Sequence, residues 1–321
     1  MSVIKYAIGV DMGGTNTDIG LVDERGICID RRRISTAAYP SVNLFISDLV
    51  ASIHDLLNCN SVSEIEGIGV GAPNANFFTG EIHNAPNLIF EGDVKLKALI
   101  EKEIPTQVVL TNDANAAAYG EMLYGGARQM KDFIMITLGT GVGSGIVVDG
   151  NVLYGHDGMA GELGHTIVFP NGRKCSCGRN GCLEEYASAR GIRQTCQELI
   201  QKHDLKSSLY YFSLENLGCK VIGDAAENGD PLALEVLRYT GYVLGLALSN
   251  AVAFSSPQAI FLMGGPTKSG DLISPLKKYF EENLLSSYRG KIDILLSALN
   301  ENDAAILGAA ALAVVEKNKT K

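Results

Sequence analysis

Two stretches of the chain repeat one design, and this repeat constrains the fold more than any other feature. Each stretch reads as an apolar strand, a turn rich in glycine and threonine, a second apolar strand and an acidic-glycine turn. The stretches are residues 6–26, with the first turn near 13–16, and residues 133–150, with the first turn near 139–143. Each therefore predicts a β-hairpin with a glycine loop at its tip.

The glycine loops have the composition of phosphate-binding loops. Glycines let backbone N–H groups point at an anion, and threonine hydroxyls add further donors, so two facing loops could clamp the phosphates of one nucleotide. Neither loop is a Walker A motif, because no Gly-Lys-Ser/Thr follows, and neither has the Gly-x-Gly-x-x-Gly spacing of a dinucleotide site. For either loop alone a ligand-free hairpin turn is an equal alternative; the pairing favours phosphate binding.

A short cysteine-rich segment predicts a zinc site. Cys175, Cys177 and Cys182 follow His165 at close spacing, and together they offer three thiolates and one imidazole, a full tetrahedral ligand set. The alternatives are ordinary buried cysteines, or a disulfide pair with one spare cysteine. Glu162 and Glu184 flank the segment, so a closed structural zinc would hold two carboxylates rigidly, which suits a polyhydroxylated ligand.

Composition favours a soluble, cytoplasmic enzyme that binds neither nucleic acid nor membrane. The 321 residues suffice for two domains, and the net charge of −9 lacks the basic surface that nucleic-acid binding needs. The N-terminal residues have no signal-peptide core, and a reducing cytosol favours thiols over disulfides. The long apolar stretch 230–254 opens with proline at the first helical position and reads as a buried helix rather than a membrane span.

An Asn-Asp pair follows a predicted strand and opens a predicted helix. The strand 107–111 delivers Asn112 and Asp113 to its carboxyl end, where ligands of open α/β sheets collect. Either residue could cap the helix, which is the alternative role for Asp113. A carboxylate in this position can also accept the proton of an attacking hydroxyl.

Two further expectations concern the C-terminal part: a strand that ends at Gly264 and Gly265, and a small-residue helix 304–316 that packs against a sheet.

In combination, these motifs resemble those of the ROK sugar kinases, within the actin/hexokinase/Hsp70 ATPase superfamily. The resemblance covers essentially the whole chain, and its motifs are Asp11-x-Gly-Gly-Thr15, Asn112-Asp-Ala-Asn115, Leu138-Gly-Thr-Gly-x-Gly-x-Gly145, Gly161-Glu-Leu-Gly-His165 and the segment from Cys175 to Glu184 and Ser188. It implies an α/β fold of two ribonuclease-H-like lobes with a ligand cleft between them. The expected lobes are 1–115, completed by the C-terminal helix 303–321, and 116–302, with a zinc-binding insertion at 161–188.

The resemblance also implies roles for individual residues. Structural zinc is expected on His165, Cys175, Cys177 and Cys182. Sugar hydroxyls are expected on Asn112, Asp113, Glu162, His165 and Glu184, and Asn74 is a further candidate because the loop 71–78 departs from the common family pattern. ATP is expected near Asp11, Gly13, Gly14, Thr15, Asn16, Thr140 and Gly141, with Gly264 and Gly265 beside the adenosine.

The implied activity is transfer of the γ-phosphate of Mg²⁺-ATP to a hexose, with Asp113 as the general base and Asp11 orienting a metal-bound water. Glucose is the first expectation, and N-acetylmannosamine, fructose and other hexoses are the alternatives. A non-catalytic sugar-sensing regulator is less favoured, because such relatives carry an N-terminal helix-turn-helix for which the residues before Asp11 leave no room. Family members are commonly dimers or tetramers.

Overall fold

The computed structural model of the protein describes residues 4–84, 90, 92–202 and 206–319. The chain divides into two compact units. The first comprises the described parts of Met1–Lys131, Gly145–Ala160 and Ser297–Lys321, and the second comprises those of Asp132–Ser144 and Gly161–Leu296.

Strands and helices alternate along most of the described chain. The strands are β1 Tyr6–Met12, β2 Thr17–Asp23, β3 Cys28–Ile34, β4 Ile68–Gly71, β5 Ala75–Asn76, β6 Glu81–Ile82, β7 Val108–Thr111, β8 Phe133–Leu138, β9 Val142–Val148, β10 Asn151–Val152, β11 Ala259–Met263 and β12 Asp293–Leu296. The α-helices are α1 Val42–Cys59, α2 Leu96–Glu103, α3 Asp113–Leu123, α4 Glu184–Ala187, α5 Ala189–Lys202, α6 Cys219–Glu227, α7 Pro231–Ser255, α8 Gly270–Asn283 and α9 Ala304–Lys319. Short 3-10 helices cover Thr36–Ala38, Leu163–His165, Ser208–Tyr211, Leu214–Asn216 and Gly265–Lys268.

The repeat seen in the sequence extends to two whole sheets. The first sheet has the order β3-β2-β1-β4-β7 and the second has the order β10-β9-β8-β11-β12. In the first, β1 and β2 form an antiparallel hairpin, and β4 and β7 continue parallel to β1. In the second, β11 pairs parallel with both β8 and β12. The predicted hairpins around both glycine turns and the predicted α/β class are confirmed.

One face of the first sheet builds a core with helix α1. Apolar residues recur in α1 at helical spacing, and Phe45, Leu49, Ile53 and Leu56 are all fully buried. They belong to the same apolar cluster as residues of β1, β2, β4 and β7. Burial of this stripe, rather than helix propensity alone, stabilises α1 in this position.

The small-residue helix α9 packs against the same sheet, as predicted, and its backbone lies in direct contact with the backbone of the strands. A Cβ atom on Gly9 of β1 would lie 2.0 Å from the Ile306 carbonyl oxygen, and one on Gly69 of β4 would lie 1.8 Å from the Ala309 oxygen. The glycines and alanines therefore allow a helix-to-sheet contact that any larger side chain would prevent.

Gly69→Ala should destabilise the protein by at least about 3 kcal/mol, because the added methyl group overlaps backbone that cannot move without shifting α9. Chemical denaturation would measure the change. Gly223→Ala is the matched control: Gly223 lies inside α6 with no atom within 4 Å of the added Cβ, and the substitution should stabilise by roughly 0.5–1 kcal/mol. Equal stability of the two variants would contradict this account of α9 packing.

Helix α7 is the predicted apolar helix, and it is a core element. Asp230 caps it by accepting from the N–H groups of Leu232 and Ala233, and Pro231 occupies the first turn. Within the described chain α7 is the one helix long and apolar enough to cross a membrane, but 67% of its most apolar window is buried inside the protein. Its glycines Gly241 and Gly245 lie against α8. The interpretation as a buried helix is confirmed.

Candidate active site

Asp113 opens helix α3 directly after strand β7. The Asn112 side-chain oxygen accepts from the Asn115 N–H at 2.7 Å and thereby caps the helix. The capping role is thus filled by Asn112, and Asp113 is the first residue of the helix. One Asp113 carboxylate oxygen accepts from the Ala114 N–H at 2.8 Å, so the carboxylate is held at the helix N-terminus, where a negative charge is favoured.

A second carboxylate, that of Asp11, belongs to the same edge of the first sheet. Asp11 on β1 is in register with Gly71 on the neighbouring strand β4. A Cβ atom built on Gly71 would lie 3.8 Å from the Asp113 Cα, so Asp113 lies next to this strand pair. Burial, followed by the charges of Asp113 and Asp18, raises the pKa of Asp11 to about 6. Partial desolvation by the surrounding protein also raises the pKa of Asp113, although the residue as a whole remains exposed. Paired acids with raised pKa values are typical of functional sites.

Asp11→Asn should stabilise the ligand-free protein by about 2–3 kcal/mol near neutral pH. A raised pKa means that the folded state binds the proton more tightly than the unfolded state, so stability falls as pH rises from about 4 to about 6. Asparagine removes this penalty, and the advantage should vanish below about pH 4. Urea unfolding at both pH values measures it, with the exposed Asp224→Asn as control. A destabilised variant at neutral pH would contradict the assignment.

The first glycine turn is compact and presents its tip to solvent. The Gly13 N–H donates to the Asn16 carbonyl at 2.9 Å, which closes the turn between β1 and β2. Behind it, the buried Thr17 hydroxyl bonds that of Thr36 at 2.7 Å. Thr15 and Asn16 are exposed at the tip. The turn therefore has a fixed base and accessible donor groups, which is what binding an anion requires.

The second glycine turn is anchored to the segment that follows the cysteines. The Gly139 carbonyl accepts from the Ala189 N–H at 2.9 Å, and the Val142 N–H donates to Glu184 Oε2 at 3.1 Å. A Cβ on Gly141 would lie 2.5 Å from that oxygen, so a side chain there would displace the Glu184 carboxylate. A predicted sugar ligand, Glu184, thus touches the predicted phosphate-binding turn.

Gly264 lies beside the same turn. It follows β11 with a φ of +115°, and a Cβ there would lie 2.1 Å from the Leu138 carbonyl oxygen, one residue before Gly139. Only glycine allows this approach. The structure therefore brings the two predicted nucleotide elements of the second unit, the 139–141 turn and the Gly264–Gly265 pair, next to each other.

Glu162 and His165 lie at the ends of a short segment held against β9. The Ser144 hydroxyl donates to the Gly161 carbonyl and accepts from the Leu163 N–H, and Gly164 packs on the Val142 carbonyl. The Val142 N–H also donates to Glu184. The three predicted sugar ligands of the second unit, Glu162, His165 and Glu184, are therefore all held by the start of β9. Glu162 is exposed, and His165 and Glu184 are partly buried.

The predicted zinc ligands converge. One ligand atom from each of His165, Cys175, Cys177 and Cys182 lies within 4.8 Å of every other. Two of these distances are 3.7 Å from Cys175 Sγ to His165 Nδ1 and 3.6 Å from Cys177 Sγ to Cys182 Sγ. Tetrahedral zinc with ordinary bond lengths requires about 3.6 Å and about 3.8 Å for such pairs. The four residues fit a zinc ion.

Tight turns bring these ligands together. Gly178 and Gly181 both have positive φ, and a side chain on Gly181 would strike the Phe169 carbonyl. Hydrogen bonds from Arg179, first from its backbone N–H and then from its side chain, lower the pKa of Cys177 to about 6. All seven cysteines lie in the described part of the chain and all are free thiols. The disulfide alternative therefore has no support in the structure.

The comparison with known proteins decides the family, since the ROK family matches residues 7–316. The chain belongs to the ROK family. This ROK protein is 36% identical to a glucokinase of Halalkalibacterium halodurans, covering 98% of this chain and 96% of the relative, and 34% identical to a glucokinase of Thermotoga maritima, covering 95% and 96%. A ROK glucokinase of Streptomyces griseus, solved with glucose and AMPPNP, superposes with a TM-score of 0.77 at 31% identity, covering 96% and 98%.

Asn74 uses its side chain within its own loop in this ROK protein. The residue has a φ of +54°, and its amide group donates to the His83 carbonyl at 3.0 Å and the Asn84 carbonyl at 3.4 Å. These bonds tie the residue before β5 to the two residues after β6, at the open end of this hairpin. The side-chain carbonyl oxygen is the group that a sugar contact would use.

Sequence reasoning missed two arginines that organise the zinc segment of the ROK protein. The Arg173 side chain is 8% exposed, donates to Glu198 at 2.8 Å and to Thr195 at 2.9 Å, and stacks on Tyr186 with its guanidinium 4.5 Å from the ring centre. Arg190 pairs with two neighbouring glutamates. Neither belongs to a motif, and a single arginine in a loop or helix gives no signal of its partners.

Proposed function

We propose that this protein phosphorylates glucose to glucose 6-phosphate with ATP. The observation that carries the proposal is the near-full-length similarity to glucokinases, among them one solved with glucose and an ATP analogue. The geometry agrees with it. In this proposal, two acids with raised pKa values, two glycine turns and three polar sugar-ligand candidates supply the kinds of group that phosphoryl transfer to a hydroxyl requires.

Asp113 is the proposed general base. Its carboxylate accepts the proton of the sugar's 6-hydroxyl while that oxygen forms a bond to the γ-phosphorus, and the bond from this phosphorus to the bridging oxygen of ADP breaks. A base with a raised pKa holds the transferred proton more strongly, which favours this role. Asp11 would orient a water on Mg²⁺, and the ion, when bound with ATP, would supply charge neutralisation for the phosphates.

The phosphates are proposed to bind at Gly13, Gly14, Thr15, Asn16, Thr140 and Gly141, with the adenosine near Gly264 and Gly265. The support is local: exposed turn tips, anchored bases and glycines where side chains would clash. Phosphoryl transfer depends mostly on positioning and charge neutralisation, which such rigid turns provide.

The sugar is proposed to bind through Asn112, Asp113, Glu162, His165 and Glu184, with Asn74 as a further contact. The Asn112 side-chain oxygen accepts the hydrogen bond that caps the helix, so the NH₂ group of this side chain is the donor that a sugar hydroxyl would meet. His165 faces the cysteines through Nδ1, which leaves Nε2 for the sugar. Zinc has a structural role in this proposal and takes no part in the chemistry.

Several further expectations stay predictions: the limits of the two lobes at 115 and 302, a homodimer or homotetramer, the absence of nucleic-acid and membrane partners, and a cytoplasmic location. Limited proteolysis and light scattering would test the first two. Purified protein without nucleic acid or lipid should carry full activity.

The proposed function is tested by ADP release from Mg-ATP with purified protein against a panel of hexoses and N-acetylhexosamines. Strong turnover with glucose, and at least about tenfold less with each other sugar, is the expected result. Preference for N-acetylmannosamine or fructose would keep the kinase and replace its substrate. A second assay supplies polyphosphate in place of ATP and measures formation of the sugar phosphate. If no sugar is phosphorylated with either donor, the proposal is overturned in favour of a sugar sensor.

A further inference from the structure

Arg190 lies at the start of α5 and contacts two consecutive glutamates. Its Nη2 atom is 2.6 Å from Glu185 Oε1 and 3.5 Å from Glu184 Oε1. The Glu185 and Glu184 side chains are only 4% and 14% exposed, whereas that of Arg190 is 46% exposed. One guanidinium edge therefore covers both carboxylates.

Glu184 is held at both of its oxygens. Oε2 accepts from the Val142 N–H at 3.1 Å, and Oε1 faces Arg190. A carboxylate with one anchor can rotate about its terminal bond, since that torsion is broad. Two anchors on different oxygens fix the plane of the group, and with it the direction in which its lone pairs can receive a ligand's hydroxyl.

The backbone of Arg190 is fixed relative to these anchors. The preceding residue, Ala189, donates its N–H to the Gly139 carbonyl at 2.9 Å, so the start of α5 is tied to the turn that also supplies the Val142 N–H. Ser188 accepts from the Gly191 N–H at 3.1 Å and caps the helix. The guanidinium thus extends from a rigid point toward Glu184.

We propose that Arg190 is a positioning residue that sets the orientation of the Glu184 carboxylate and so tunes the affinity for the sugar. The proposal rests on the proposed function, in which Glu184 binds a sugar hydroxyl. Arg190 does not touch the reacting atoms. Its effect passes through Glu184, and it should appear in the KM for the sugar rather than in the KM for ATP.

The competing explanation is that Arg190 only neutralises the buried Glu185, to which it is closer. A buried carboxylate without its partner is costly, so removing Arg190 alone would disturb the structure under either explanation. Glu185→Gln removes that charge and therefore separates the two. When Arg190 is replaced in the Glu185→Gln background, no unpaired charge is left at position 185. Any remaining change in the KM for glucose then comes from Glu184.

The experiment compares steady-state kinetics of wild type, Arg190→Leu, Arg190→Lys, Glu185→Gln and the double variant Glu185→Gln/Arg190→Leu, with glucose and ATP varied separately. Arg190→Leu should raise the KM for glucose about tenfold and change the KM for ATP by less than about twofold. The double variant should show the same rise relative to Glu185→Gln. Arg190→Lys keeps a charge without the planar fork and should recover part of the loss.

Zinc content and melting temperature are measured on every variant, so that a folding defect is not read as a loss of affinity. If Arg190→Leu fails to fold, the double variant decides the question. An unchanged KM for glucose in the double variant relative to Glu185→Gln would overturn the inference in an otherwise active enzyme. A wild-type protein that phosphorylates no sugar would instead overturn the proposed function, and this inference with it.

Discussion

Asp113→Asn should lower kcat by about 10³–10⁴-fold while changing the dissociation constant for glucose by less than about threefold. Asparagine keeps the size and the hydrogen-bond acceptor that faces the Ala114 N–H, so the start of α3 stays in place. It cannot take up the proton of the attacking hydroxyl. Because that proton transfer is needed only on the way to the transition state, turnover is lost and ground-state binding is not.

The test of Asp113 pairs turnover measurements with calorimetric titration of glucose. Asp149→Asn is the matched control, since it makes the same chemical change at an exposed turn between β9 and β10. The control should retain wild-type kcat. Turnover of Asp113→Asn within about tenfold of wild type would remove Asp113 as the general base and direct attention to Asp11.

Cys177→Ser should abolish zinc binding and reduce kcat/KM for glucose by at least about 100-fold. Cys177 is exposed, so serine at this position leaves the packed core intact and isolates the loss of one metal ligand. Without the ion, the segment from His165 to Glu184 loses the bonds that hold its turns. Two of the proposed sugar ligands lie at its ends, and both would lose their positions.

Zinc content by atomic emission, melting temperature and glucose kinetics measure this effect together. Cys59→Ser provides the control, because Cys59 is also exposed and lies on α1, far along the chain from the zinc segment. It should retain about one zinc per chain and full activity. Normal turnover from a Cys177→Ser protein shown to be free of zinc would contradict the structural role of the metal.

The features that the sequence predicted correctly are local ones. The two glycine hairpins, the proline at the start of α7, and the convergence of His165 with the three cysteines all depend on residues close together along the chain. Such features follow from turn geometry, capping and ligand spacing, which a short segment carries by itself. Asp113 was predicted at the carboxyl end of a strand for the same reason, although Asn112 turned out to be the cap.

Other features depend on contacts between distant segments. The approach of α9 to Gly9 and Gly69 and the link from Glu184 to the Val142 N–H join residues that no spacing rule connects. The raised pKa of Asp11 likewise reflects burial and the nearby charge of Asp113, 102 residues further along the chain. These effects arise only when separate strands and helices pack against each other.

Residue type and short-range spacing encode the α/β class, the family, the cluster of His165 with three cysteines and the candidate acids. Tertiary packing sets how the carboxylates are oriented, which donors bind them and how far burial raises their pKa values. Hydrogen-bond direction and desolvation depend on distances of a few ångströms between separate segments, and those distances are set by packing rather than by the order of residues.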